Sequence, residues 1–294
     1  MRLLVVANLS KPRVQPAIDE LLPWLKQRVE VVAVDGSKEH DLCTESNCFD
    51  AILALGGDGT LISVAHRLRG RRVPVMGVNY GRLGFLALFQ PDEIATYFDD
   101  FVAGKLPISG RQMLDVAVLG KGVACDATDL DKVVGLARHR TTVLNEAVLT
   151  AGPPYRMIEL ELAIDGEKGV RYFGDGVILA TASGSTAYNV SAGGPILWPG
   201  VDGICITPLC PHSLSFRPVV VNVDSRIVVT LRRANAGTTL VADGQSNTAL
   251  ENGERVVIHR SKQELLLVEN PQARQIEQLG RKLHWGSTPR YNGK

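Results

Sequence analysis

Between residues 3 and 102 the chain repeats one pattern, a short unbroken apolar run followed by a stretch with helical spacing. The runs are Leu3 to Ala7, Val29 to Val34, Ala51 to Leu55 and Val73 to Val78. The helical stretches are Ala17 to Gln27, Leu61 to Arg69 and Pro91 to Val102, the last opening on Asp92 and Glu93, where a helix N-terminus favours acids. A strand that is apolar along its whole length is covered on both faces, the condition of a parallel sheet flanked by helices. This part of the chain is therefore restricted to an α/β domain.

The period changes near Gly110. Apolar runs become short and β-branched, as in Val143 to Thr150, Met157 to Ile164, Val177 to Thr181, Ile227 to Leu231 and Val256 to His259. Glu159-Leu160-Glu161-Leu162 alternates like a half-exposed antiparallel strand. No long helix fits between residues 110 and 270. The expected class is α/β, a parallel-sheet domain at residues 1–110 plus a β-rich second domain at 111–270. A polar segment at 271–294 either packs back on the first domain or frays. A length of 294 residues suits two domains.

Charge and hydropathy remove several function classes. Lys plus Arg number 32 and Asp plus Glu 31, a net charge of +1. A non-specific nucleic-acid binder carries a clear basic excess, so none is expected as a partner. No apolar run approaches the ~20 residues that span a bilayer, so no membrane partner is expected either. The opening Met1 to Ala7 is too short for a signal peptide. Five scattered cysteines (Cys43, Cys48, Cys125, Cys205 and Cys210) form no disulfide framework, which points to a reducing, cytoplasmic location. Cys43 and Cys48 lack a second pair at zinc-finger spacing and read as loop thiols.

Glycine is the one residue in clear excess, 29 of 294, or about one in ten against a usual ~7%. Three glycines stand in Gly56-Gly57-Asp58-Gly59-Thr60, between a buried strand and a helix. Backbone N–H groups on such a turn, with the positive end of a helix behind them, suit a phosphate. Asp58 departs from a plain cradle: a carboxylate beside phosphate is repelled unless it holds a metal or takes a proton, as the base does in phosphoryl transfer to a hydroxyl. The bland alternative is a tight turn with Asp58 capping the helix. No Gly-Lys-Ser/Thr follows, so this is not a Walker loop, and it is not a GxGxxG fingerprint.

A second cluster comprises Gly174-Asp175-Gly176, Thr181 to Tyr188 and Ser191 to Pro195. Its hydroxyls and glycines offer hydrogen bonds to a polar ligand, and Tyr188 offers a ring face. Asn79 to Phe85 follows the Val73 strand at its carboxyl end, where open α/β sheets bind ligands. Asn145-Glu146 interrupts an apolar run, and a buried Glu needs partners. Asp243-Gly244-Gln245 reads as a hairpin turn, His212 as a turn histidine, and Arg67 to Arg72 and Arg138 to Arg140 as solvated faces.

Together these strings resemble the NAD kinase family. The resemblance runs from Gly56 to Gln245 in the family's order: GGDGT at 56–60, GVNYGRLGFL at 77–86, NE at 145–146, GDG at 174–176, GSTAYNVSAGGP at 184–195, ITPLCPH at 206–212, RP at 217–218 and DGQ at 243–245. GGDGT alone is weak, because diacylglycerol kinases, sphingosine kinases and phosphofructokinases carry close relatives of it; joined to GSTAY and SAGGP it is strong. The resemblance implies a Rossmann-like amino-terminal domain handling the phosphate donor and a β-rich domain binding NAD. It implies transfer of the terminal phosphoryl group of ATP, or of polyphosphate, to the 2′-hydroxyl of the adenosine ribose of NAD, with a divalent metal ion, Mg2+, accompanying ATP. By position Asp58 is the proton acceptor, and Gly56, Gly57, Gly59 and Thr60 line the donor phosphates. Asn145 and Glu146 match the pair that holds the dinucleotide, Arg156 a basic contact, and Phe85 an aromatic near the adenine. Asp175, Thr186, Ala187, Tyr188, Asn189, Val190 and Ser191 match the binding segment that Gln245 closes. Phe173 stands where some members carry Arg, which bears on selection between NAD and NADH. Ala182 and Ser183 replace the usual Pro and Thr. Family members form homodimers or homotetramers. The rival readings are a lipid kinase of the diacylglycerol type and a non-enzymatic NAD(H) sensor.

Overall fold

The computed structural model describes residues 1–37, 40–42, 48–82, 84–123, 129–213 and 215–286. Leu83, Cys43 and Cys125, named above, lie outside the described residues. The chain divides into two compact units, Met1–Gly110 with the described residues from Leu265 onward, and Arg111–Glu264.

The first unit runs β1 (Arg2–Ala7), α1 (Val14–Lys26), β2 (Glu30–Asp35), β3 (Ala51–Gly56), α2 (Asp58–Arg67), β4 (Pro74–Asn79) and α3 (Ile94–Val102). The strands are parallel in the order β2-β1-β3-β4. Every residue of β3 is buried, as its unbroken apolar run requires. Leu3, Val5, Leu53, Leu55, Met76 and Val78 pack against Val14, Ile18, Leu25 and Phe98 in one core. α1 begins at Val14 rather than Ala17, because Pro16 falls in the first turn, where backbone N–H groups have no partner within the helix. α2 begins at Asp58 rather than Leu61, so Asp58, Gly59 and Thr60 form its first turn.

Arg67 is not on a solvated face. Only 5% exposed, it bonds Asp35 at 2.7 Å and the carbonyls of Ser37 and His40. A guanidinium that far from water needs such partners, and the Arg run by itself does not show which member turns inward. Arg138 is exposed, as the solvated-face reading has it, and pairs with Glu254 through Nε and Nη2.

β5 (Ile108–Leu119) leads into the second unit, followed by α4 (Leu130–Leu136), β6 (Ala137–Val143), β7 (Glu146–Thr150), β8 (Ile158–Ile164), β9 (Val170–Gly174) and β10 (Gly176–Ala180). Then come α5 (Tyr188–Ser191), β11 (Gly203–Leu209), β12 (Val219–Asn222), β13 (Ile227–Arg233), β14 (Thr239–Ala242), β15 (Ser246–Ala249) and β16 (Arg255–Val268). One antiparallel sheet has the order β12-β11-β10-β7-β14-β15. In the other, β9, β8, β13 and the first half of β16 are neighbours, with β5 and β6 beside β16. Leu149, Leu179, Ile204 and Ile206 of the first sheet pack with Leu114, Val116, Leu160, Val229 and Ile258 of the second, the interior of a β-sandwich.

β16 outruns the short apolar segment that marks it in the sequence. Its Leu266 and Leu267 pair in parallel with Pro74 and Val75, adding a strand beside β4 in the first unit. Among the described residues the last element is α6 (Gln275–Leu283), also in the first unit. Among the described residues no helix is long and apolar enough to cross a membrane.

Candidate active site

In the first unit, Asp58 enters at the junction of β3 and α2. Its side chain does not cap its own helix, since Gly57 holds the cap position and receives no side-chain bond. The carboxylate instead reaches the segment after β4. Oδ2 accepts the Phe85 N–H at 2.8 Å, and Oδ1 accepts those of Leu86 and Ala87 at 3.0 and 3.1 Å. Lys282 of α6 brings its ammonium to 3.4 Å from Oδ2 and 4.2 Å from the centre of the Phe85 ring.

Two glycines exist here because of side chains beside them. A Cβ on Gly84 would overlap the Asp58 carboxylate, and one on Gly56 would overlap the Thr60 hydroxyl. A Cβ on Gly59 meets nothing within 4 Å. That opening belongs to a cavity of about 340 Å³ lined by Lys11, Gly57, Asp58, Gly59, Thr60, Arg82 and Lys282, among others. Three cations and a helix N-terminus against one carboxylate give the cavity lining a positive balance. The Thr60 hydroxyl is buried there without a hydrogen-bond partner. Lys11 is tied to the Gly56 carbonyl at 2.8 Å.

The backbone of the Gly-rich turn is less open than its sequence suggests. The Thr60 N–H already bonds the Gly57 carbonyl at 2.9 Å, because α2 starts early. The positive charge of the cavity therefore comes more from Lys11, Arg82 and Lys282 than from the turn's N–H groups. Sequence reasoning missed Lys11 and Lys282. Neither sits in a motif, and only the fold brings positions 11 and 282 to residue 58.

In the second unit the Val143 to Thr150 run breaks at Leu144-Asn145, between β6 and β7. Asp243 explains the break. Its Oδ2 accepts the Leu144 N–H at 2.7 Å, and its Oδ1 those of Asn145 and Glu146 at 2.8 and 2.9 Å. Asp243 and Gly244 both have positive φ, 50° and 64°, so the hairpin turn foreseen there aims a carboxylate as well. From the other side, Thr181 donates to the Leu144 carbonyl at 2.6 Å, and its N–H bonds the Asn145 carbonyl. Gly184 lies so close that a Cβ would overlap that carbonyl.

The backbone of 144–146 is thus fixed while its side chains remain unsatisfied. Asn145 Oδ1 and Glu146 Oε2 are buried with no hydrogen-bond partner. Burial, and secondly the charge of Asp243, pushes the Glu146 carboxyl up to about 8. A neutral carboxyl both donates and accepts, and beside an amide oxygen it suits vicinal hydroxyls.

The GSTAY segment divides into framework and surface. Asn189 is fully buried, with its amide nitrogen on the carbonyls of Ser185 and Pro195 and its oxygen accepting from Thr207. Its side chain holds the loop in shape. Thr186 donates to the Ser183 carbonyl, while Tyr188 and Ser191 are exposed and Ala187 and Val190 half-buried. Phe173 is exposed at the end of β9, and its carbonyl accepts the His212 N–H. Asp175 is held by its backbone to Ala151 and Leu209, and its carboxylate pushes the Cys210 thiol up. Arg156 and Gln245 are exposed.

Two family models match the sequence: the ATP-NAD kinase N-terminal domain over residues 37–106 and the ATP-NAD kinase C-terminal domain over residues 144–270. Lys11 and Lys282 lie outside both segments. Curated proteins named NAD kinase from Syntrophotalea carbinolica and Geobacter sulfurreducens are 35% and 33% identical to the chain, each over 97% of it and 99% of their own length. A crystal structure of an Archaeoglobus fulgidus NAD kinase in complex with ATP superposes with a TM-score of 0.71, at 27% identity over 97% of both chains. A yeast NADH kinase complexed with NADH gives 0.84 at 24% identity, over 100% of this chain and 90% of that one, a likeness of fold.

Proposed function

The chain belongs to the NAD kinase family, and on that premise we propose that it transfers the terminal phosphoryl group of ATP, or of polyphosphate, to the 2′-hydroxyl of the adenosine ribose of NAD, giving NADP. The observation that carries this reading is a carboxylate in a cation-lined cavity, because an anionic donor and a hydroxyl acceptor need both. Lys11, Arg82 and Lys282 would neutralise the phosphates, and Asp58 would accept the hydroxyl proton. The ribose oxygen then attacks phosphorus in line, the new O–P bond forms, the bridging P–O bond of the donor breaks, and ADP, or a polyphosphate one unit shorter, leaves with that electron pair. The protein's part is positioning and charge neutralisation. Asn145 and Glu146 would hold ribose hydroxyls of the dinucleotide, Asp175 and Tyr188 would border it, and Phe173 would set the preference between NAD and NADH.

No cluster of three or more metal-ligating side chains occurs among the described residues, and Asp58 is the one carboxylate lining the cavity. That donor set fits a magnesium ion carried chiefly by the donor's phosphates, whose charge it would help to neutralise. The same reading has the protein self-associate as a dimer or tetramer. Cys48, Cys205 and Cys210 are free thiols, which supports a cytoplasmic setting. A pure NAD(H) sensor would need a damaged donor site, and this one keeps its carboxylate, cations and cavity.

Asp58→Asn tests the assignment. Turnover should fall by roughly 10² or more, the scale of losing a general base, with NAD affinity retained. Near-normal turnover would sink it.

A further inference from the structure

A carboxylate has two oxygens and about four acceptor positions. On Asp58 all four are taken, three by the N–H groups of Phe85, Leu86 and Ala87 and the fourth by Lys282. A base in this state has nowhere to receive a proton. The three backbone donors are fixed by the chain segment they belong to. Lys282 is different: its 3.4 Å contact is longer than the ~2.7–2.9 Å of a tight charge-assisted bond, and its four-carbon stem lets the ammonium swing. The Phe85 ring, 4.2 Å away, gives that ammonium a second resting surface.

We propose that Lys282 couples donor binding to activation of the base. In the structure described its ammonium holds the one exchangeable acceptor position of Asp58. A bound polyphosphate chain, the strongest anion to enter the cavity, draws the ammonium onto its own oxygens, and Oδ2 becomes free for the hydroxyl proton. Lys282 then touches the transferred group and is a catalytic residue, supplied by a helix that neither family model covers. This rests on the kinase reading for its chemistry, but the ion exchange itself can be measured without turnover.

The test uses the full chain with Lys282→Met, Lys282→Arg and, as a control on the same helix with the same loss of charge, the exposed Arg281→Met. Affinity for inorganic tripolyphosphate is measured by calorimetry, and KM for ATP and for NAD are measured separately. Lys282→Met should weaken tripolyphosphate and raise the ATP KM by at least about tenfold, leaving the NAD KM within about twofold. Lys282→Arg should recover part of the loss, and Arg281→Met should match the wild type. A double-mutant cycle checks the exchange. Asp58→Asn should tighten tripolyphosphate binding more when Lys282 is present than in the Lys282→Met background, because only then does it release a held cation. Unchanged tripolyphosphate affinity in Lys282→Met, an equal rise in both KM values together with a lowered Tm, or additivity in the cycle would each overturn the proposal while leaving the kinase reading standing. Lys282-dependent tripolyphosphate binding in a protein that forms no NADP would overturn the kinase reading and leave the exchange standing.

Discussion

Glu146→Gln isolates a carboxyl that burial holds neutral far above the ordinary range. In the folded chain Glu146 titrates near 8 against an unperturbed 4.5. Between these values the unfolded chain has released the proton and the folded chain keeps it. Folding then takes up a proton, and stability falls as pH rises. The contribution of the neutral carboxyl is fully present below pH 4.5 and is lost by the time the pH passes 8. Each pH unit inside the window is worth at most ~1.4 kcal/mol. From pH 5, where the unfolded carboxyl is still partly protonated, to pH 7, the loss comes to about 2 kcal/mol for this residue alone. Gln has the same shape and no titration, so its own unpaired amide costs the same at every pH. Urea unfolding of both proteins at pH 5, 6, 7 and 8 reads the difference. The wild type should lose about 2 kcal/mol more than Glu146→Gln between pH 5 and 7, while other groups cancel. Parallel curves, or a wild type that gains relative to the variant, would refute the argument that an unpartnered, desolvated carboxyl sits at this position.

Two glycine substitutions separate fold from ligand space in the first unit. Gly84→Ala places a Cβ against the Asp58 carboxylate and should push Asp58 off its backbone donors, cutting turnover by tenfold or more on the scale of a misplaced base. Gly59→Ala meets no protein atom within 4 Å and replaces a helical glycine, so thermal unfolding should show equal or greater stability, by up to about 1 kcal/mol, while the ATP KM rises because the methyl occupies cavity space.

Much of the fold is legible in the string because it depends on local periodicity. The fully apolar Ala51 to Leu55 run could only be a covered strand, and the shift to short β-branched runs near Gly110 announces a β-rich second domain. Helix starts were less legible. α1 and α2 both begin three residues earlier than their apolar spacing implies, since Pro16 and the Asp58-Gly59-Thr60 turn carry no apolar mark. Among the candidate site residues, Asn145-Glu146 stood out because polar residues interrupted an apolar run. What answers them did not: Asp243 lies about a hundred residues on, and its role depends on register between β14 and β7. Asn189 sits in the most recognisable motif of the chain, yet its side chain is spent on the loop's own carbonyls, a fact that only burial reveals. Lys282 carries no signal at all in the sequence. Its importance is a distance.

The most direct measurement is product formation by the purified chain. With NAD, magnesium and either ATP or polyphosphate, the account predicts NADP from at least one donor, with phosphorus NMR placing the new phosphate on the 2′-oxygen of the adenosine ribose. NAD recovered unchanged with both donors, or phosphate found on any other hydroxyl, would contradict it.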